Sequence, residues 1–117
     1  MSLQLYSLKK NFAVQKAERF FKERRAQVQF VDLKKHKMGL RELQLFARAA
    51  GGAYQLVDRT NVNAMSHPVA HTDNEEIILG YLLEKPEFMR TPIVRDGQKV
   101  VIGEDPAGWQ RLLDGQK

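Results

Sequence analysis

Ala13, Val14, Ala17, Phe20 and Phe21 recur at spacings of three and four, while Lys16, Arg19, Lys22 and Glu23 fall between them. That pattern predicts an amphipathic helix with one apolar stripe. Asn11 stands just before it and suits the N-cap, because its side-chain oxygen can accept from a backbone N–H one turn in. Ahead of the helix, Gln4, Leu5 and Tyr6 predict a short buried strand; after it, "QVQFVDL" sets Val28 and Phe30 against Gln27 and Gln29 and predicts a second. Strand, helix and strand within about 30 residues make a βαβ unit with parallel strands and a right-handed crossover.

"KKHKMG" then reads as a basic turn, and Leu40, Leu43, Phe46, Ala47 and Ala50 mark a second amphipathic helix stopped by Gly51 and Gly52. Residues 53–71 show no clear period and predict an irregular, unusually long connection. Thr72-Asp73-Asn74-Glu75 reads as a capping box before a helix carrying Ile77, Ile78, Tyr81 and Leu82, ended by Pro86. "PIV" and "KVVIG" predict two strands around a turn at Asp96-Gly97. Asp105 and Pro106 open a last helix with Trp109, Leu112 and Leu113 on its buried face and Gly115 at its end. Trp109 and the phenylalanines all read as core. The order β-α-β-α, an irregular or helical middle, then β-β-α, predicts an α/β protein: a small mixed sheet covered by helices, as in the thioredoxin fold.

At 117 residues and 43% hydrophobic, the chain holds enough for one core, so residues 1–117 read as a single domain. No apolar run approaches the roughly 18 to 20 residues of a membrane span, and no secretory signal opens the sequence. The expectation is a cytoplasmic protein that does not engage a membrane. The formal charge is +5, but residues 1–41 carry eleven Lys or Arg against Glu18, Glu23 and Asp32, a local +8. Such a face attracts acidic protein surfaces and small anions; nucleic acid is not expected as a partner. There is no cysteine. Disulfides, thiolate metal sites and thiol nucleophiles are thereby excluded. His67 and His71 are four apart, but Pro68 between them argues against a helical metal pair, and no metal site is expected.

"LYSLKKNFAVQKAERFF", "VDLKKHK", "GLRELQLFARAAG", "LVDRTN" and "YLLEKPEFMRTPIVRDGQKVVIG" together resemble the arsenate reductase family, with its ArsC, Spx and YffB-like proteins. The resemblance runs nearly end to end and implies the thioredoxin-like fold. It places Asn11 at the family's redox cysteine, Arg59 at an arginine that helps bind the oxyanion, and Thr91-Pro92 at the proline that is commonly cis beside the first helix's N-terminus. The departures bear on function. A carboxamide has neither the nucleophilicity nor the redox couple that reduction through a thiol adduct requires. The family's Arg-Pro dipeptide is Thr91-Pro92 here, with Arg90 one place earlier, and Gly103 and Glu104 stand where a further arginine is common.

Two readings follow. In the first, catalytic residues are absent and the protein binds a protein partner or small anion in a regulatory or accessory role, as Spx-like members dock on RNA polymerase. In the second, glutathione or an oxyanion supplies what the chain lacks, in an oxidoreductase resembling glutaredoxin-type arsenate reductase. The residues that would hold an anion are Lys9, Lys10, Asn11, Arg59, Arg90 and Thr91, around an unpaired helix end that favours negative charge. Pro92 would be structural, and no resident cofactor is expected.

Overall fold

A computed structural model describes residues 3–8 and 11–115. Strands β1 (Leu3–Ser7), β2 (Val28–Asp32), β3 (Ile93–Asp96) and β4 (Lys99–Ile102) form one sheet in the order β2-β1-β3-β4. β1 and β2 run parallel, with Leu3 opposite Val28 and Tyr6 opposite Val31; β3 runs antiparallel to β1 and to β4. The first strand is thus one residue longer at each end than the expected Gln4–Tyr6. Helices α1 (Phe12–Glu23), α2 (Leu40–Ala50), α3 (Val62–Met65), α4 (Glu75–Glu84) and α5 (Pro106–Asp114) complete the chain with three short helical turns.

Alternation along the strands divides the core between the two faces of the sheet. Leu3, Leu5 and Val94 pack with Val14, Ala17 and Phe21 of α1 and with Trp109 and Leu112 of α5. Tyr6 and Ile93 join Leu43 and Phe46 of α2 and Ile78 and Leu82 of α4 on the other face. Helices on both faces of a mixed sheet are the predicted thioredoxin-like arrangement.

Residues 53–71 are more ordered than their pattern indicates. They fold as single turns at Ala53–Leu56 and Pro68–Ala70 around α3, and Ala53, Leu56, Ala64 and Val69 are fully buried. Each piece is one turn long, too short for a helical period to repeat. The Asn61 carboxamide accepts from the N–H groups of Asn63 and Ala64, and the His67 Nδ1 accepts from Val69 N–H, so side chains close these turns.

Three further expectations are corrected. α4 is capped by Asn74, whose Oδ1 accepts from Ile77 N–H at 3.1 Å, while Thr72 Oγ1 accepts from Asn74 N–H and Glu75 accepts from Ala53 N–H. The capping box is therefore not formed, because Glu75 satisfies a neighbouring segment instead. The hairpin turn shifts one residue on: Asp96 pairs with Lys99, leaving Gly97 and Gln98 as the loop, with Gly97 at φ +62°. Finally, Phe12 and Phe30 are not core, at 88% and 59% exposure. Phe12 opens α1 with its side chain out in solvent, and Phe30 lies on an edge strand outside the helical layer centred on Leu5 and Val94.

Candidate functional site

The end of β1 leads through Leu8 to Asn11 at the start of α1, and Lys9 and Lys10 lie outside the described residues. Asn11 is extended, at φ −130° and ψ 179°, and its Oδ1 accepts from Val14 N–H at 2.8 Å. Its Nδ2 faces Thr91 Oγ1 at 3.5 Å. The carboxamide thus caps the helix with its oxygen and reaches the loop before β3 with its nitrogen. The Thr91–Pro92 peptide is cis. Pro92 also accepts from Gly103 N–H through its carbonyl at 2.8 Å, joining this loop to the end of β4.

Around Asn11 and Thr91 lie two adjoining hollows. One, of about 380 Å³, is lined by Phe12, Asp58, Thr60, Arg90 and Glu104. The other, of about 90 Å³, is bordered by Asp58, Asn61, Glu87 and Met89. Arg90 is anchored here: its N–H donates to Leu56 O at 2.7 Å, and its Nη1 donates to Gln55 O at 3.1 Å. The guanidinium lies against Gly103, which holds φ +77°; a Cβ there would come within 2.8 Å of Arg90 Nη2. Glycine provides both the left-handed backbone and the room for the arginine.

Arg59 does not reach this groove. Its guanidinium stacks over the Tyr54 ring at 3.7 Å and its Nη2 donates to Tyr54 O at 3.1 Å. The cation–π contact and the hydrogen bond hold it against the preceding turn. Its sequence neighbours face the groove instead: Asp58 Oδ1 accepts from Thr60 N–H at 3.0 Å and from Thr60 Oγ1 at 2.6 Å. This Asx-type turn is legible in "DRT", where Asp two residues before Thr is a common turn pair. Among the described lining residues, Asp58, Glu87 and Glu104 oppose the single cation Arg90. Lys16 pairs with Glu104 at 3.3 Å at the groove's edge, an exposed contact of small energetic weight.

The two histidines four apart are committed elsewhere. The His67 ring packs against Tyr81 and Phe88, and His71 Nε2 meets Met65 O at 2.7 Å. Among the described residues no group of three or more His, Asp or Glu is placed to hold a metal ion, and no helix is long and apolar enough to cross a membrane.

The geometry is that of a thioredoxin-like protein. Solved structures share this fold: an arsenate reductase (ArsC) related protein from Brucella melitensis is 21% identical with a TM-score of 0.73, covering 97% of this chain and 95% of that one. The arsenate reductase from Vibrio cholerae is 13% identical with a TM-score of 0.81, covering 95% and 97%. An ArsC-family-related protein from Bacteroides fragilis is 17% identical with a TM-score of 0.80, covering 96% and 98%. The fold expected from the sequence is therefore shared, almost end to end, with arsenate-reductase-related structures, in a chain that contains no cysteine. No protein-family model and no curated protein matches the sequence.

Proposed function

We propose that this chain is a cysteine-less relative of the arsenate reductase family, redox-inactive by itself, that acts by docking an acidic protein partner on the exposed side of α1. The observation that carries the reading is Phe12. It is a large apolar side chain almost wholly in solvent at the start of α1, followed at spacings of four and three by the exposed Lys16 and Arg19. An aromatic anchor with an arginine nearby is the composition of an energetic centre in a protein interface, and Lys16 adds to the charge that steers an acidic partner. The amide at Asn11 supports a binding role over a chemical one, since its oxygen is engaged as a helix cap and the chain has no thiol.

The test is affinity capture from a cell extract by wild type, by Phe12→Ala and by Lys16→Glu/Arg19→Glu. A specific acidic protein is expected on the wild type, reduced by Phe12→Ala and lost with the charge reversal or at high salt. Capture indifferent to all three changes would defeat the docking face.

The hollow beside Asn11, with Arg90 and Thr91 on its wall, favours a second reading in which glutathione or an oxyanion binds there. Calorimetry with arsenate, phosphate and glutathione tests it. Saturable binding weakened by Arg90→Ala is the expected sign, and heats that stay at the dilution level through millimolar ligand remove the reading.

A further inference from the structure

A larger hollow than those beside Asn11 lies away from it, on the sheet face bordered by Glu42 of α2. It measures about 790 Å³. Two cross-strand rows occupy this face. In one, Val31, Tyr6 and Ile93 stand side by side on β2, β1 and β3, and Tyr6 and Ile93 are core beneath the helices. In the next, Gln29, Gln4 and Arg95 stand side by side and line the hollow. A sheet position beside a core row is ordinarily apolar when covered; here it is amide, amide and guanidinium.

The arginine is held in place. Arg95 Nε donates to Gly97 O at 2.8 Å and its Nη1 lies 3.5 Å from Tyr6 Oη. Tyr6 Oη in turn donates to Glu42 Oε2 at 3.0 Å, and Glu42 also accepts from Gly39 N–H at 3.2 Å and meets His36 Nε2 at 3.1 Å. Arg95 Nη1 also lies 3.8 Å from Glu42 Oε2, so this carboxylate is shared among the guanidinium, a hydroxyl, a backbone N–H and an imidazole, and Nη2 is the edge of the arginine left open. Among the described residues, Arg95 Nη2 and the carboxamides of Gln4 and Gln29 have no hydrogen-bond partner, although each can form at least two hydrogen bonds.

We propose that this row binds the C-terminal end of a short peptide. The terminal carboxylate meets the open edge of Arg95, a charge-assisted contact of the kind guanidinium groups make with carboxylates. The preceding peptide units, each a donor and an acceptor, are read by Gln4 and Gln29. The dimensions agree: three neighbouring strands span about 10 Å, and an extended tripeptide spans about the same.

The experiment is an NMR titration of the ¹⁵N-labelled full chain with triglycine, with triglycinamide and with inorganic phosphate. Triglycine is expected to shift the Gln4 and Gln29 side-chain amides and the Arg95 Nε–H saturably at low millimolar concentration. Loss of the charge-assisted contact should weaken binding about tenfold or more, both for triglycinamide and for Arg95→Gln. Gln4→Ala, which leaves the Arg95 contacts to Gly97 and Tyr6 in place, should weaken triglycine severalfold, so a folding defect in Arg95→Gln does not decide the matter. The proposal is overturned by the absence of shifts up to about 10 mM triglycine, a regime that would still reveal millimolar sites. It is overturned equally by triglycinamide or phosphate matching triglycine, or by shifts confined to the Asn11 and Thr91 groove.

Discussion

Asn11 and Thr91 lie 80 positions apart in sequence and face each other through side chains, Nδ2 to Oγ1 at 3.5 Å. The helix start and the cis-proline loop therefore border one groove, and the residue at its head is an amide whose oxygen caps α1. Replacing that residue tests the electrostatics of the helix end. Asn11→Cys should yield a thiol with a pKa below the ordinary value of about 8.5, because helix N-termini favour thiolate. The pH dependence of its alkylation rate measures this. An ordinary or raised value would mean that Asp58 and Glu104 outweigh the helix end.

Asn11→Ala should cost about 1 kcal/mol of unfolding free energy, the usual worth of an N-cap. Asn11→Asp should largely restore it, since a carboxylate both caps and complements the helix dipole. Urea unfolding of the three proteins decides; an alanine variant as stable as wild type would show that the Val14 bond contributes nothing net.

Gly103→Ala separates backbone strain from crowding. A left-handed alanine costs roughly 1–2 kcal/mol, whereas the nearby Arg90 Nη2 ends a flexible side chain that can move aside. The loss should therefore persist in the Arg90→Ala background. A double-mutant cycle with strong positive coupling would show instead that the contact, not φ +77°, dictates glycine.

Two phenylalanines with similar sequence settings should behave oppositely. Phe12→Ala should change stability by no more than about 0.5 kcal/mol. Phe21→Ala should cost about 3–5 kcal/mol, because that ring is buried against Trp109. Equal losses at the two positions would contradict the exposure of Phe12 on which the docking proposal depends.

The network under the open sheet face carries a pH signature at each end. Burial opposes ionisation of Glu42, but the hydrogen bonds from Gly39, His36 and Tyr6 outweigh it and hold the carboxyl below its ordinary value of 4.5. A lowered folded-state pKa stabilises above the unfolded value and loses its effect as pH falls through the folded one. The stability advantage of wild type over Glu42→Gln should thus shrink between about pH 5.5 and pH 3. Burial, then the hydrogen bond and charge of Glu42, raise Tyr6 above 10.0 despite Arg95. Its contribution is present below pH 10 and declines as pH rises through the folded-state pKa, a decline that Tyr6→Phe should lack. Unfolding curves across both ranges check the two signs.

Element type was largely written in local pattern. The stripe of α1, the caps at Asn11 and Asp105, the glycines after α2 and the β-α-β opening each depend on neighbours a few residues away, and all appear in the structure. The missing cysteine, too, is a fact of the sequence alone. What tertiary structure decided is where side chains of similar local setting end up. Phe21 and Phe12 share a helix, yet only one meets α5; Phe30 alternates like a core residue, yet its strand is at the sheet's edge. Arg59 lies between two residues that line the groove, but Tyr54 offers it a ring and a carbonyl on the other side. The row of Gln29, Gln4 and Arg95 draws on positions from three strands and exists only through their register. Local propensity is set within a turn of helix or a few residues of strand, whereas burial and convergence depend on which distant segments pack together.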